Sequence, residues 1–237
     1  MWTRRRTGAR RLSSSFGKVH NKRLLMLRVA SFTFGPFQEN TYVLHDDAGH
    51  AAIVDPGCFS TDEWGRLRGF IDEHDLTPVL LLNTHCHLDH IAGNARVHEA
   101  WGLEPVAHPL EEAVLAWAPD HAKLFGVPLD PSPPIGRFVE HGETIGLGDE
   151  ELAVLHVPGH SPGSICFHSA AHGFVIAGDT LFRGGIGRTD LPGGDHETLL
   201  RSIREQLFTL DHATEVFNGH GPSTTVGEEV RSNPFFG

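Results

Sequence analysis

The stretch that decides the fold is Asn83-Thr84-His85-Cys86-His87-Leu88-Asp89-His90, which follows the apolar run at 78–82 (PVLLL). Three imidazoles and one carboxylate lie within six positions, where a buried strand gives way to a loop. Neutral imidazole nitrogens and carboxylate oxygens are the ligands that zinc and neighbouring metals accept in proteins. The stretch therefore predicts a metal site at a strand end.

Further residues of the same type recur downstream in glycine-rich turns. His160 lies in residues 157–163 (VPGHSPG), Asp179 in 177–181 (AGDTL) and His220 in 218–222 (NGHGP). Each turn follows a strand-like apolar run, so these groups are also expected at strand ends. A chain with 18 histidines produces clusters by composition, but recurrence in matching contexts favours a metal site assembled from several loops.

The charge distribution argues against a nucleic-acid partner. The 237-residue chain has a formal charge of −11, yet positions 1–28 hold nine Arg and Lys and no acidic residue. The remaining 10 of the 19 basic residues face 30 acidic ones, a formal charge of −20. Binding a phosphate backbone needs clustered cations, so a nuclease is not expected. A small-molecule substrate is expected, and a membrane partner is not expected.

The N-terminal segment is rich in Arg and Ser, and its one apolar run, 24–27 (LLML), is too short for a secretory segment or a membrane span. It is either an organelle-type presequence or the product of a misassigned start in a protein that begins at Met26, and the second is favoured. Residues 1–26 are therefore predicted to be an extension, disordered or foreign to the native protein, and residues 27–237 to form the domain.

The three cysteines, Cys58, Cys86 and Cys166, show no recognisable spacing, and their odd number leaves at least one thiol unpaired. This favours a reducing compartment and predicts a cytoplasmic location. Cys86 stands between two candidate ligands, but in an extended segment its side chain points the opposite way. We predict a core or wall residue there.

The body of the chain alternates strand and helix patterns. Strands are predicted at 27–34, 40–45, 51–54, 79–82, 152–157, 164–167 and 173–177, and helices at 62–75, 91–101, 109–117 and 197–207. Thr61 or Asp62 is the expected cap of the first helix. Residues 118–134 hold five prolines and are expected to be an irregular connection, either a lid that includes Phe125 or a plain linker. Two successive runs of strands and helices favour an α/β (α+β) protein, a four-layer αββα sandwich.

Together these motifs resemble the metallo-β-lactamase-fold hydrolases, which implies the same αββα fold. Residues 178–182 (GDTLF), 187–195 (GRTDLPGGD) and 219–225 (GHGPSTT) are similar to the glyoxalase II-like (hydroxyacylglutathione hydrolase) branch, and the match runs from about Met26 onward. The branch's C-terminal helical extension, which helps to grip glutathione, has no counterpart here, so weak affinity for glutathione thioesters is expected.

The resemblance implies two divalent metal ions, most simply zinc, with iron or manganese as alternatives. The implied ligands are His85, His87 and His160 for the first ion, Asp89, His90 and His220 for the second, and Asp179 for both. A carboxylate can bridge two ions because it has two oxygens. Asp89 is also the candidate catalytic carboxylate. A water of lowered pKa would attack a thioester carbonyl, and a thiolate leaves without much help.

Arg188 and Arg183 are the candidate cations for an anionic substrate, because a guanidinium can pair with a carboxylate through two hydrogen bonds. Asp190 and Asp195, which follow Arg188 in the chain, are expected to be structural. Asp190 is expected to fix a loop, and Asp195 either to fix a loop or to cap the helix that follows it. His156 and His168 are left out of the metal site.

A second activity within this fold stays open. Residues 84–87 (THCH) and 187–190 (GRTD) also resemble glutathione persulfide dioxygenases, which hold one iron with two histidines and an aspartate. The GHGPSTT segment favours the hydrolase, as does a full set of seven ligands. An inactive scaffold is disfavoured because no ligand position is replaced. A β-lactamase is disfavoured because many zinc β-lactamases carry a cysteine where this chain has Asp179.

Overall fold

The computed structural model describes residues 26–237, so the prediction for the N-terminal extension lies outside the described part of the chain. Within that part, no helix is both long and apolar enough to cross a bilayer. The described residues form two six-stranded sheets that pack face to face.

The first sheet follows the order of the chain. It consists of β1 (Arg28–Phe34), β2 (Glu39–His45), β3 (His50–Val54), β4 (Thr77–Leu82), β5 (Pro105–Ala107) and β6 (Arg137–Phe138). The first three strands pair antiparallel and the last four parallel. Parallel neighbours need crossover connections, which carry helices here.

The second sheet is largely antiparallel. Its strands are β7 (Thr144–Leu147), β8 (Glu150–His156), β9 (Ile165–Ser169), β10 (Phe174–Gly178), β13 (Glu215–Asn218) and β14 (Thr224–Thr225), and a small hairpin of β11 (Leu181–Phe182) and β12 (Gly185–Ile186) stands apart. Only the β10–β13 pair in this described sheet is parallel.

Helices cover the outer faces. They are α1 (Thr61–Glu73), α2 (Leu88–Ile91), α3 (Asn94–Trp101), α4 (Glu112–Phe125), α5 (His196–Ser202) and α6 (Val226–Ser232), with a 3-10 turn at Pro109–Glu111 and a π turn at Ile203–Leu207. Along β3, Ile53 packs under α1 and α3, whereas Val54 faces the second sheet. This alternation follows from the two-residue period of a strand. The predicted αββα sandwich is confirmed.

The cap of α1 is Ser60, so the prediction of Thr61 or Asp62 is wrong by one or two positions. The Ser60 hydroxyl accepts a hydrogen bond from the Glu63 backbone N–H at 3.2 Å, and the Glu63 carboxylate accepts from the Ser60 N–H at 2.9 Å. This reciprocal pair is a capping box, and Ser60 and Glu63 stand at its usual spacing.

The helix predicted at 109–117 extends to Phe125, through Pro119. A proline inside a helix removes one backbone hydrogen bond and ordinarily ends the helix. Here Ala118 is buried in a cluster with Cys86, Ile91 and Ala107, so tertiary packing overrides the local preference. The helix ends at Gly126, which takes a left-handed conformation (φ 66°).

The Ser60 cap generates a stability prediction. Ser60→Ala should lower the free energy of unfolding by about 1 kcal/mol, because it leaves an N–H of the first helical turn without its acceptor. Thr61→Ala, at the neighbouring position, should change it by less than about 0.5 kcal/mol. Urea denaturation followed by circular dichroism measures both. An equal loss in the two variants would contradict the capping assignment.

Candidate metal centre

The candidate ligands meet at one edge of the sandwich, where strands of both sheets end. His85 follows β4, His160 follows β8, Asp179 follows β10 and His220 follows β13. Glycines in the local turns explain the placement, since Gly178 precedes Asp179 and Gly219 precedes His220. A Cβ atom on Gly178 would lie 2.3 Å from Thr84 Oγ1, and one on Gly219 would lie 2.1 Å from Asp179 Oδ1. Only glycine permits this close approach of the loops.

Three imidazoles, those of His85, His87 and His160, form the first donor group. The Nε2 atom of His160 lies 2.9 Å from Nδ1 of His87 and 3.1 Å from Nε2 of His85. Burial lowers the pKa of His87 to about 3 and also lowers the pKa values of His85 and His160. All three are therefore neutral at physiological pH, which is the form that binds a metal.

Asp89, His90 and His220 form the second donor group. The Nε2 atom of His220 lies 3.3 Å from Asp89 Oδ2 and 3.4 Å from Asp179 Oδ2, and Nε2 of His90 lies 3.4 Å from Asp179 Oδ1. Asp179 Oδ2 is also 3.6 Å from Nε2 of His160. The Asp179 carboxylate thus lies between the two groups.

The donors fit bound metal ions. His90 Nε2 and Asp179 Oδ1 are buried without a hydrogen-bond partner, which is costly unless a cation lies between such atoms. The donor atoms of each group lie within 4.8 Å of one another. A third combination, Asp55 with His85 and His90, also meets this limit, but the Asp55 oxygens are already occupied as acceptors from the loop that carries the histidines.

The second group attracts positive charge. Burial lowers the pKa of the His220 imidazole, but hydrogen bonds to Asp179 and Asp89 outweigh burial and raise it to about 10. The same carboxylates raise the pKa of His90 against the effect of burial. A metal ion held by this group would have to displace these protons, so its binding would be coupled to proton release.

Hydrogen bonds behind the histidines set their orientation. The Nδ1 atoms of four rings face oxygens outside the donor groups: His160 the Arg188 carbonyl at 2.8 Å, His220 the Phe37 carbonyl at 3.1 Å, His90 Asp55 Oδ2 at 3.1 Å, and His85 Thr84 Oγ1 at 3.1 Å. Donation from Nδ1 aims each Nε2 into the site, where it can bind a metal once it carries no proton.

Asp55 and Glu111 hold this arrangement together, and neither was predicted from the sequence to do so. Asp55 accepts hydrogen bonds from the Thr84 N–H at 2.8 Å and the Thr84 hydroxyl at 2.6 Å. Glu111 is fully buried and accepts from the N–H groups of Cys86 at 2.7 Å and Gly163 at 2.8 Å, and from the Ser161 hydroxyl. In the sequence, the turn Asp55-Pro56-Gly57 at a strand end is a signal for the role of Asp55. No local pattern marks Glu111 for its role.

The centre opens into a cavity of about 390 Å³. Phe125 lines it, as the lid interpretation expects, although residues 118–125 are helical rather than irregular. His121, on the same helix, also lines it and was missed. The four-residue spacing between His121 and Phe125 would place both side chains on one face of a helix. This signal can be used only once the helix is known to continue through Pro119.

The two candidate arginines differ in position. Arg188 lines the cavity, and its Nε and Nη2 atoms each donate to the Asp190 carboxylate at 2.7 Å. Arg183 lies in a separate groove with Glu215 and Glu228, so the structure does not bring it to the cavity. The expectation for Arg183 is corrected: the turn between β11 and β12 directs it away from the donor groups.

The structural roles expected for Cys86, Asp190 and Asp195 are confirmed. Cys86 is buried in the cluster with Ile91 and Ala118, and burial raises the pKa of its thiol. Asp195 caps α5 by accepting from the Thr198 N–H at 2.7 Å. Asp190 fixes the side chain of Arg188 within the loop.

Comparison with known proteins places this centre in a family. The family model described as the metallo-beta-lactamase superfamily matches residues 34–220. The hydroxyacylglutathione hydrolase GloC of Haemophilus influenzae is 41% identical over 201 residues, which cover 84% of this chain and 93% of that protein.

Two solved structures are similar over most of their length. BLEG-1, a B3 metallo-beta-lactamase, has a TM-score of 0.81 and 35% identity, covering 88% of this chain and 99% of that one. TTHA1623 in a di-iron-bound form has a TM-score of 0.79 and 38% identity, covering 87% and 100%. The fold, the paired donor groups and the family match agree, and the chain belongs to the metallo-beta-lactamase superfamily.

Proposed function

We propose that this protein is a binuclear metal-dependent hydrolase that cleaves hydroxyacyl thioesters such as S-D-lactoylglutathione. The position of Asp179 between the two donor groups carries the proposal, since one oxygen faces His90 at 3.4 Å and the other faces His160 at 3.6 Å. The 41% identity to a hydroxyacylglutathione hydrolase supports the thioester class. Buried, unpaired thiols support a cytoplasmic location.

In this proposal all seven donor side chains bind metal. The first ion would be held by His85, His87 and His160, the second by Asp89, His90 and His220, and both by Asp179. Bound divalent ions supply a water of lowered pKa and a Lewis acid for the carbonyl oxygen. Zinc suits these nitrogen and oxygen donors, and iron or manganese suits them as well.

The chain's own residues would then bind, orient and hold protons. Asp89 lines the cavity with one oxygen 3.3 Å from His220, so it can accept a hydrogen bond from the attacking water and take up its proton. The thiolate can leave with little protonation, because the pKa of an ordinary thiol is only about 8.5. No cysteine is proposed as the nucleophile, because burial raises the pKa values of Cys58 and Cys166 to about 12.

Hydrolysis of β-lactams is the second candidate, because a protein named as a B3 metallo-beta-lactamase is 35% identical with a TM-score of 0.81. The thioester is favoured over the β-lactam because the identity to GloC is 41%, against 35% to the B3 metallo-beta-lactamase. The two activities share the attacking water and differ in the leaving group, a thiolate in one case and an amine in the other.

Thiol release from S-D-lactoylglutathione by metal-replete protein, with bound metals counted on the same sample, tests the proposal. We expect turnover with two metals per chain, because the two donor groups share Asp179. A chromogenic cephalosporin serves as the β-lactam comparison. Oxygen consumption with glutathione persulfide and a single bound iron would instead establish the dioxygenase, and no thiol release with both metals present would discard this thioester class.

Asp179→Ala should remove a donor from both groups. We expect it to lower the occupancy of both metals and to reduce turnover by at least about 100-fold, the scale on which loss of a metal-binding partner acts. Plasma mass spectrometry counts the metals. Asp72→Ala, on the exposed face of α1 where the aspartate is 67% exposed, is the matched control and should keep both. Full occupancy and activity in the Asp179 variant would show that the bridging assignment is wrong.

Arg188→Ala should raise KM for an anionic thioester by about tenfold while kcat changes little, because a rim cation contributes to binding rather than to chemistry. Asp190→Ala should lower KM, since it frees the guanidinium that Asp190 now holds through two bonds of 2.7 Å. Arg183→Ala, in the separate groove, is the comparison and should leave KM unchanged. A larger effect from Arg183 than from Arg188 would reverse the assignment.

A further inference from the structure

The cavity beside the metal centre has an aromatic wall that the proposed ligands do not explain. Phe37 comes from the turn between β1 and β2, Phe125 from the end of α4, and Phe182 from β11. The rings of Phe37 and Phe125 meet edge to face with their centroids 5.4 Å apart, and the ring of Phe182 lies 6.1 Å from that of His220. Three separate segments of the chain thus place a phenyl ring on one small volume.

The wall continues onto α4. The His121 ring lies 4.9 Å from the Phe125 ring and stacks on Trp117 at 4.4 Å with an interplanar angle of 17°. His121 itself is only 6% exposed. The wall therefore borders both donor groups: the Phe37 carbonyl faces Nδ1 of His220 in the second group, and the His121 ring lies 6.3 Å from that of His87 in the first.

The cavity also has a polar rim at Arg188. Arg188 lies there beside His160, whose Nδ1 donates to the Arg188 carbonyl, and its side chain is 56% exposed. Asp190 pairs with this guanidinium, so an anionic group of a substrate would compete with Asp190 for it. The lining of the cavity therefore combines an aromatic wall, an exposed cation and the donor side chains.

Phe125 combines exposure with a position on the cavity wall. It remains 48% exposed although it contacts both Phe37 and His121. An aromatic ring on the rim of a cavity, open to solvent on one face, is typical of a site that an apolar ligand covers. An apolar group that packs against Phe125 would bury this exposed surface and contact the other rings of the wall.

We propose that the substrate of this centre carries an apolar acyl group about the size of a phenyl ring, which packs against Phe37, Phe125 and Phe182. The inference rests on the proposed function, since the acyl group and the thiol carrier extend in different directions from a thioester carbonyl held at the donor groups. The aromatic wall receives the acyl group, and the polar thiol carrier lies toward Arg188. Phe37 and Phe125 then determine specificity.

Direct binding of two product-like acids tests this inference without turnover. D-mandelate and D-lactate share the carboxylate and the 2-hydroxyl group and differ in a phenyl ring against a methyl group. Calorimetry on metal-replete protein should show that mandelate binds at least about tenfold more tightly, because the ring adds apolar contact and edge-to-face geometry. Equal affinities, or no binding of mandelate, would overturn the inference.

Variants locate the preference. Phe37→Ala and Phe125→Ala should each remove most of the mandelate advantage and leave the affinity for lactate nearly unchanged. Phe138→Ala is the matched control, because Phe138 is a phenylalanine of similar exposure, 44%, on edge strand β6 and away from the cavity. Metal content confirms that each variant keeps its centre. A preference that survives in both cavity variants would contradict the assigned wall.

Turnover separates this inference from the proposed function. S-D-mandeloylglutathione and S-D-lactoylglutathione carry the same thiol, so kcat/KM should favour the mandeloyl thioester by about tenfold. If neither thioester is cleaved, the proposed function fails, while the acid-binding comparison still decides the character of the wall. If both are cleaved at equal rates and the acids bind equally, the thioesterase stands and the acyl preference is wrong.

Discussion

The carboxylate of Asp55 is the contact on which the centre depends. It stands at the end of β3 with a left-handed backbone (φ 47°), and its own N–H donates to the Leu82 carbonyl at the end of β4 at 2.9 Å. Its oxygens accept from the Thr84 N–H and hydroxyl and from Nδ1 of His90. Bonds to a buried carboxylate are strong, and a residue held in this strained conformation persists only where its surroundings compensate. Asp55 thereby orients the start and the end of the metal-binding loop together.

Other buried polar contacts join this loop to the second sheet. Glu111 ties Cys86 to the loop that carries His160. Asn40 donates two hydrogen bonds to the loop that carries His220, from its backbone N–H to the Gly219 carbonyl at 2.7 Å and from its side-chain amide to the Gly221 carbonyl at 2.8 Å. Loops without regular structure have unpaired backbone groups, which must find partners when buried. Here the partners are Asn40 on β2 of the first sheet and Glu111 in the turn before α4, and each reaches a loop that follows a strand of the second sheet. The packing of the two halves therefore also fixes the spacing of the donors.

The donor side chains and the aromatic wall of the cavity come from different parts of the molecule. The donors lie on loops that follow strands and on the short helix α2. The cavity wall is assembled from the β1–β2 turn, the end of α4 and the β11–β12 hairpin, none of which carries a donor. In the proposed function, substitutions at Phe37, Phe125 or Arg188 would change substrate preference without removing a donor.

The sequence by itself determined the layers and the donor set. Alternation along strands such as β3 is set by a two-residue period, and the histidines and aspartates follow strands directly, so both are local signals. The capping box of Ser60 and Glu63 is also a local signal, although the predicted cap is Thr61 or Asp62. Only the tertiary structure decided the remainder: the helix that passes through Pro119, the reach of Glu111 across 50 residues to Ser161, the pairing of Arg188 with Asp190, and the displacement of Arg183. These depend on how loops distant in sequence pack against one another, and that packing leaves no periodic trace in the chain.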